Sequence, residues 1–241
     1  MAHEALDTYD NLSDWELQES STGSMLTSLR EAIKNEEPIV ITAWSPHWMF
    51  EEFDLKALED PENVFGPEED INTITRLGFE EDMPEAHTIL KNFEWDVEDM
   101  QKVMLEAESS SFEEAVSNWI EENQEKVDSW SDGVEDVDGT SIEIVSTPWD
   151  SERASSELVN QVLTNKGYNV TVSDLDPAVL FESIATGKAD ASVAPWLPTT
   201  HQAFLDKHKD DIVDLGPNLS GTQNSLAVPS YMDIDSIEDL K

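Results

Sequence analysis

The stretch that decides the fold is Ile142-Glu143-Ile144-Val145-Ser146-Thr147-Pro148-Trp149-Asp150, an apolar run that predicts a strand ending at a Trp beside a Pro. Downstream of it, strand-like and helical patterns alternate, with helices predicted at 154–163 and 178–186 and strands at 168–172 and 191–194. The strand at 191–194 also ends at a Pro-Trp pair, Pro195-Trp196. Strands that alternate with helices indicate a parallel or mixed α/β sheet.

The upstream part of the chain has a related pattern. Residues 2–9 predict a helix, and the alternation Trp15-Glu16-Leu17-Gln18 predicts a short strand. A helix with apolar residues between 25 and 33 then leads to a strand at 39–42, which ends at Ala43-Trp44-Ser45-Pro46. Helical periodicity continues from 84 to 130, and the acidic, glycine-containing residues 131–139 form a predicted connection.

Residues 15–47 and 168–201 share one order of elements, strand, helix and strand, followed by a Trp-X-Pro triplet. Such units are common, so this echo has two interpretations: coincidence, or two α/β lobes that face each other. In open α/β sheets, ligands bind beyond the carboxyl ends of the strands. Trp44, Trp149 and Trp196 all follow predicted strands in this way.

Three tryptophans at strand ends favour a site for a cation that cannot donate hydrogen bonds. Aromatic faces attract such a cation, and each contact contributes about 0.5 to 2 kcal/mol. A quaternary ammonium is therefore the expected guest, and His201 could donate to the carboxylate of a zwitterion. His47 is interpreted as a structural hydrogen-bonding residue. The tryptophans inside predicted helices and strands are expected to pack in the core: Trp15, Trp95, Trp119 and Trp130.

The composition excludes several classes of partner. The 241 residues include 13 Lys and Arg against 54 Asp and Glu, which gives a formal net charge of −41. Binding to nucleic acid needs clustered basic residues, and an anionic membrane surface would repel this chain. With 38% hydrophobic residues the chain can still bury a core. The charge suggests either a halophilic source, where salt screens self-repulsion, or an ordinary acidic surface.

Chemical motifs are scarce. There is no Cys, which excludes disulfides and thiolate chemistry, and no phosphate-binding loop, HExxH or GxSxG pattern is present. No catalytic acid and base can be chosen from so many carboxylates without geometry, so no catalytic residue, metal ligand or cofactor is predicted. No apolar run has the roughly 20 residues of a membrane helix, and no secretory signal is visible.

A specific resemblance lies in residues 38–50, Pro-Ile-Val-Ile-Thr-Ala-Trp-Ser-Pro-His-Trp-Met-Phe, which look like a signature of the glycine betaine-binding proteins of osmoprotectant ABC importers. Four other stretches are similar to the same family: 71–76, 148–152, 194–201 and 226–240. The resemblance covers essentially the whole chain, and the Trp-bearing motifs are its most specific part. Ala43, where the family usually has Gly, and Pro195, where a small residue is usual, depart from it.

The resemblance implies a two-lobed α/β fold of the type II periplasmic-binding-protein class, with a ligand cleft between the lobes. Lobe A is expected at 1–70 with the C-terminal tail 231–241, and lobe B at 71–230. In the family, three tryptophans form a cage, which implies that Trp44, Trp149 and Trp196 enclose the trimethylammonium group and that His201 binds the carboxylate. The match begins just after the family's carboxylate-binding loop, so we expect that loop to be missing here.

The resemblance also implies a function: an extracellular or periplasmic binding protein that captures glycine betaine or a related osmoprotectant. It would deliver this ligand to a membrane permease, as a monomer attached through its transporter or through an anchor outside this sequence. Two other readings stay open from the residues alone. One is an enzyme that acts on a quaternary amine, and the other is an acidic interaction module whose tryptophans are simply core.

Overall fold

Each half of the last strand of the protein belongs to a different structural unit. The computed structural model describes all residues, 1–241, and divides into unit 1, Met1–Glu68 with Thr222–Lys241, and unit 2, Glu69–Gly221. The C-terminal portion of unit 1 therefore starts at 222, upstream of the predicted boundary at 231. It does so because residues from 223 onward pair with strands of unit 1.

The secondary structure alternates strands and helices along much of the chain. The strands are β1 (Ile41–Ser45), β2 (Leu55–Ala57), β3 (Glu69–Arg76), β4 (Ser141–Ser146), β5 (Asn169–Asp174), β6 (Ala191–Ser192), β7 (Trp196–Leu197) and β8 (Ile212–Pro229). The helices are α1 (Ala2–Thr8), α2 (Thr22–Asn35), α3 (Met49–Glu52), α4 (Phe79–Asp82), α5 (Pro84–Asn92), α6 (Val97–Ala107), α7 (Phe112–Glu122), α8 (Gln124–Trp130), α9 (Asp150–Asn165), α10 (Pro177–Ala185) and α11 (Gln202–Lys207). None of them has the length and apolar character that a membrane-crossing helix requires.

Unit 1 contains a small antiparallel sheet. Strands β1 and β2 both pair with the second part of β8, with Ile41 and Ala57 each opposite Ala227. Helix α2 begins after Ser21, whose hydroxyl oxygen accepts a hydrogen bond from the Ser24 N–H and so satisfies one free donor of the first turn. The core combines residues from both ends of the chain: Ala5, Tyr9, Leu12, Leu58, Phe65, Leu226, Val228, Ile237 and Leu240.

Unit 2 is built on a mixed sheet with the strand order β8–β3–β6–β4–β5. Strand β4 runs parallel to both β5 and β6, whereas β3 runs antiparallel to β6 and β7. Ile144 lies opposite Val172 on one side and Ala191 on the other, since β4 lies between β5 and β6. The predicted parallel or mixed α/β sheet is therefore confirmed, and it is of the mixed kind.

Helix α9 follows β4 directly and is the main helix of unit 2. Its inner face buries Ala154, Leu158, Val162 and other residues, as expected for an amphipathic helix on a sheet. The chain leaves the helix through Gly167 with a φ of +92°, and a Cβ at this position would lie 2.1 Å from the Val137 carbonyl oxygen. Only glycine fits there, so the connection to β5 is fixed by sequence.

The structure differs from the sequence-based expectations in one predicted strand and in two strands that were not predicted. The stretch Trp15–Gln18 forms no strand, because no neighbouring strand pairs with it, and Trp15 is 37% exposed instead of packed in the core. Strand β3 was not predicted as an element. Strand β8 was not predicted either, since Gly216, Pro217 and Gly221 interrupt its sequence with residues typical of turns.

Candidate functional site

The turn between β4 and α9 presents Trp149. This residue precedes the first helical residue, has an extended backbone, and accepts a hydrogen bond from the Arg153 N–H at its carbonyl oxygen. Pro148 keeps the turn short and fixes the backbone before it. The Trp149 side chain is 47% exposed, which is unusual for an indole and leaves much of its surface free for contact with a ligand.

Trp196 and His201 are held together by two hydrogen bonds across the loop that joins β7 to α11, one between backbone groups and one from the backbone to the imidazole. The His201 N–H donates to the Trp196 carbonyl oxygen over 2.9 Å, and the Trp196 N–H donates to Nδ1 of the His201 ring over 2.9 Å. Between them, the Leu197-Pro198 bond is cis. Trp196 is therefore placed by the same loop that orients the His201 imidazole.

Glu69, the first residue of β3, holds this loop in place through hydrogen bonds to its side chain. Its Oε1 accepts from the N–H groups of Thr199 and Thr200, each over 2.7 Å, and its Oε2 accepts from the Thr200 hydroxyl over 2.5 Å. The carboxylate is only 3% exposed, so three donors replace the water that it loses on burial. These bonds fix the backbone immediately before His201.

The proton position on His201 follows from its partners. Nδ1 accepts from a backbone N–H, so in the neutral ring the proton must lie on Nε2, which is free to donate. Burial lowers the pKa of His201 to about 4, although the nearby negative charge of Glu69 acts in the opposite direction. The imidazole is thus neutral near pH 7 and offers one N–H donor.

The His201 and Trp149 rings are stacked, with centroids 6.0 Å apart and 6° between their planes. Phe181 and Phe204 flank the other sides of the imidazole, with centroids 6.1 Å and 6.3 Å away. Three of the four predicted site residues, Trp149, Trp196 and His201, are therefore brought together within unit 2. The arrangement combines an exposed aromatic surface with a fixed N–H donor.

Glu152, in the first turn of α9, was not identified from the sequence. It is 1% exposed; its Oε1 accepts from Nε1 of Trp196 over 2.5 Å and its Oε2 accepts from the Ser151 hydroxyl over 2.7 Å. Loss of solvation raises the pKa of Glu152 to about 7, even though both hydrogen bonds favour the ionised form. Its sequence position three residues after Trp149 offered no signal that separates it from the other acidic residues.

The fourth predicted residue, Trp44, lies in unit 1 near the end of β1 and is half-buried. Its ring meets the His47 ring edge-on, with centroids 4.9 Å apart. Nδ1 of His47 accepts from the Met49 N–H over 3.1 Å, which agrees with the structural role expected of this histidine. The Ser45-Pro46 bond is cis, like Leu197-Pro198, so the sequence echo between the two Trp-X-Pro triplets extends to the backbone.

Other tryptophans of unit 2 pack against each other. Trp95 and Trp119 meet edge-on at 5.6 Å, and Trp119 stacks with Trp130 at 6.3 Å, which confirms the core role predicted for these three. Their indole nitrogens are buried without a hydrogen-bond partner. No group of three or more His, Asp or Glu side chains could hold a metal ion.

Comparison with known proteins identifies relatives over nearly the whole chain. Residues 1–122 and 140–241 match the model of a family described as the substrate-binding domain of ABC-type glycine betaine transport systems. The glycine betaine/carnitine transport binding protein GbuC of Listeria monocytogenes is 48% identical over 230 residues, covering 95% of this chain and 77% of that protein.

Two solved structures are also similar. Lactococcal OpuAC, in its closed-liganded conformation with glycine betaine, is 48% identical over 54% of this chain and 52% of that chain, with a TM-score of 0.49. A phosphate-binding protein of an ABC transporter from Streptococcus pneumoniae covers 98% of this chain and 86% of its own, at 9% identity and a TM-score of 0.51. The second likeness concerns the fold alone, and it agrees with the predicted type II binding-protein class.

Proposed function

Because the chain belongs to the family of substrate-binding domains of ABC-type glycine betaine transport systems, we propose that it binds glycine betaine or a related quaternary-ammonium osmoprotectant. In this proposal Trp149, Trp196 and His201 of unit 2 contact the ligand, together with Trp44 of unit 1. The family description and the name of the Listeria relative both denote transport binding and not catalysis, so the chain is a binding protein and not an enzyme.

The observation that carries the proposal is the stacked pair of Trp149 and His201. A trimethylammonium group cannot donate hydrogen bonds, and aromatic faces are the surfaces that attract it. The carboxylate of a betaine needs hydrogen-bond donors. The Nε2–H of a neutral His201 is such a donor, and a neutral ring does not repel the ammonium group of the same ligand. The neighbouring rings of Trp149 and His201 thus offer the two kinds of contact that a betaine requires, an aromatic face for its ammonium group and an N–H donor for its carboxylate.

Trp44 is assigned to the site from its sequence motif. It lies in β1 of unit 1 as Trp196 lies in β7 of unit 2, and each begins a Trp-X-Pro triplet. We infer that it supplies a further aromatic face, worth about 0.5 to 2 kcal/mol of binding free energy.

We infer that the protein acts outside the cytoplasm, in the periplasm or at the cell surface, and hands its ligand to the permease of an ABC importer. Attachment to the membrane, through the transporter or through an anchor, is part of the same proposal. We further propose that it acts as a monomer, since a net charge of −41 opposes self-association unless salt screens it.

The test is calorimetric titration in about 1 M KCl, where charge repulsion is screened. Three ligands separate the contact with the ammonium group from the contact with the carboxylate. They are glycine betaine itself, choline, which lacks the carboxylate, and 3,3-dimethylbutanoate, in which carbon replaces the nitrogen so that the positive charge is absent. We expect saturable binding of glycine betaine and weaker binding of both analogues. Absence of heat with glycine betaine, in a sample shown to be folded by circular dichroism, would overturn the proposal.

A further inference from the structure

Glu152 lies against Trp196 on the side of the indole nitrogen. Its carboxylate is 1% exposed and has two hydrogen-bond donors, Nε1 of Trp196 and the hydroxyl of Ser151. It forms no salt bridge with Lys, Arg or His. The negative charge that acts on it most clearly is Asp150, on the same turn of α9.

Burying this carboxylate without a positive partner is unfavourable, because the charged form loses its hydration. The chain has 54 acidic residues, and most of them avoid this cost by remaining at the surface. The first turn of α9 reduces it in part, since the N-terminal end of a helix favours negative charge. A hydrophobic residue of the same size would pack there without the cost, so the carboxylate needs a reason beyond packing.

Resting on the function proposed above, we propose that Glu152 is a positioning residue for the ligand site, which fixes the Trp196 indole and increases the attraction of its ring for a cation. The bond to Nε1 removes the rotational freedom of the ring. A carboxylate that accepts from the indole N–H also shifts electron density into the ring system, and the attraction between a cation and an aromatic face depends on the negative charge of that face.

The position of Glu152 also joins two parts of the site. It lies in the first turn of α9, directly after Trp149. Its carboxylate accepts a hydrogen bond from Trp196 on β7, and Trp196 in turn donates to His201. The Glu152 carbonyl oxygen accepts from the Ser146 hydroxyl at the end of β4 over 3.3 Å, which anchors the same turn to the sheet. One side chain therefore couples the Trp149 turn to the Trp196–His201 loop.

The experiment is done at pH 8, where Glu152 is mainly ionised, and compares wild type with Glu152→Gln, which keeps the size and one acceptor oxygen but removes the charge. The matched control is Glu157→Gln, one helical turn and a half further along α9, where the carboxylate bonds only to Asn160 and Gln161. We expect Glu152→Gln to weaken glycine betaine binding by roughly tenfold, the equivalent of one charge-assisted hydrogen bond. Binding of 3,3-dimethylbutanoate, which keeps the carboxylate but lacks the positive charge, should not weaken, and Glu157→Gln should match wild type with both ligands.

A spectroscopic measurement separates positioning from a general structural effect. In protein with 15N-labelled tryptophan, the indole N–H signal of Trp196 is identified by its absence in Trp196→Phe. We expect this signal alone to move in Glu152→Gln, while those of the other seven tryptophans stay in place. In the Trp196→Phe background, Glu152→Gln should have no further effect on affinity, because the bond that connects them is already absent.

The outcomes distinguish this inference from the proposed function. If wild type binds no betaine, the proposed function fails. If wild type binds and Glu152→Gln binds equally well, with the Trp196 indole signal unmoved, the positioning role is wrong. Equal weakening of glycine betaine and 3,3-dimethylbutanoate would overturn the claim that Glu152 increases the attraction of the Trp196 ring for a cation, because that result indicates loss of ring position and not of charge.

Discussion

The rings of Trp149 and His201 lie parallel at 6.0 Å, yet Trp149 is 47% exposed and His201 only 3%. One member of the pair therefore contributes mainly to the surface offered to a ligand, and the other is part of the packed interior of unit 2. This asymmetry makes it possible to separate effects on binding from effects on stability by substitution.

Trp149→Ala should weaken glycine betaine binding by roughly 3- to 30-fold with little change in the melting temperature, because a half-exposed indole adds little to the core. Trp196→Ala should lower both, since Trp196 is 6% exposed and truncation of a buried Trp costs about 3 to 5 kcal/mol. Calorimetry and thermal unfolding measure the two quantities. Trp15→Ala, at a half-exposed Trp in unit 1, is the control, and an unchanged affinity in Trp149→Ala would contradict the assignment.

His201 and Glu152 should make opposite contributions to the pH dependence of stability. His201 has a pKa of about 4 in the folded state against an ordinary 6.5, so the unfolded state binds more protons between these values and stability falls as pH falls through this range. Glu152 has a folded pKa of about 7 against an ordinary 4.5, so its contribution is present below pH 4.5 and is lost as pH rises to 7.

Denaturant unfolding between pH 5 and 6.5 tests this, because most ordinary carboxylates have already ionised there. Relative to wild type, Glu152→Gln should gain stability as pH rises, and His201→Gln should show the opposite trend. Parallel pH profiles for the three proteins would show that neither group titrates as described. At a fixed pH of 7, His201→Gln should also weaken glycine betaine more than choline, because only the betaine carboxylate uses the Nε2–H donor.

Glu69→Gln should lower both stability and ligand affinity, although Glu69 lies 130 positions before the loop that it holds. The substituted amide cannot accept all three hydrogen bonds from Thr199 and Thr200, and an unsatisfied buried donor costs about 1 to 3 kcal/mol. Melting temperature and calorimetry measure the two effects. Glu68→Gln, the exposed neighbour in sequence, is the control and should match wild type.

Stability should increase steeply with salt, whereas the hydrogen bonds of the site should be much less sensitive to it. Raising KCl from about 0.1 M to about 1 M shortens the range of charge repulsion from roughly 10 Å to 3 Å, which relieves the self-repulsion of a chain with a net charge of −41. Thermal unfolding over this range measures the effect, with sucrose as an uncharged stabiliser for comparison. A melting temperature independent of KCl would contradict the expectation of salt adaptation.

Much of the candidate site follows from the sequence, because its tryptophans stand beside prolines at strand ends, a pattern that local sequence alone reveals. Glu152 was not, because its importance depends on burial and on the approach of Trp196 from 44 positions away. Trp15–Gln18 alternates as a strand does, but a strand also needs a partner, which local sequence does not specify. Strand β8 was hidden by Gly216 and Gly221, which adopt positive φ values within it.

The order of segments in unit 1 has a consequence for how the protein is made. Ala5, Tyr9 and Leu12 are synthesised more than 200 positions before the residues that complete their core, among them Leu226, Val228 and Leu240. Unit 2, residues 69–221, is continuous in the chain and can fold in the meantime. The core around Ala5, Tyr9 and Leu12 can therefore be completed only after the whole of unit 2 has been synthesised.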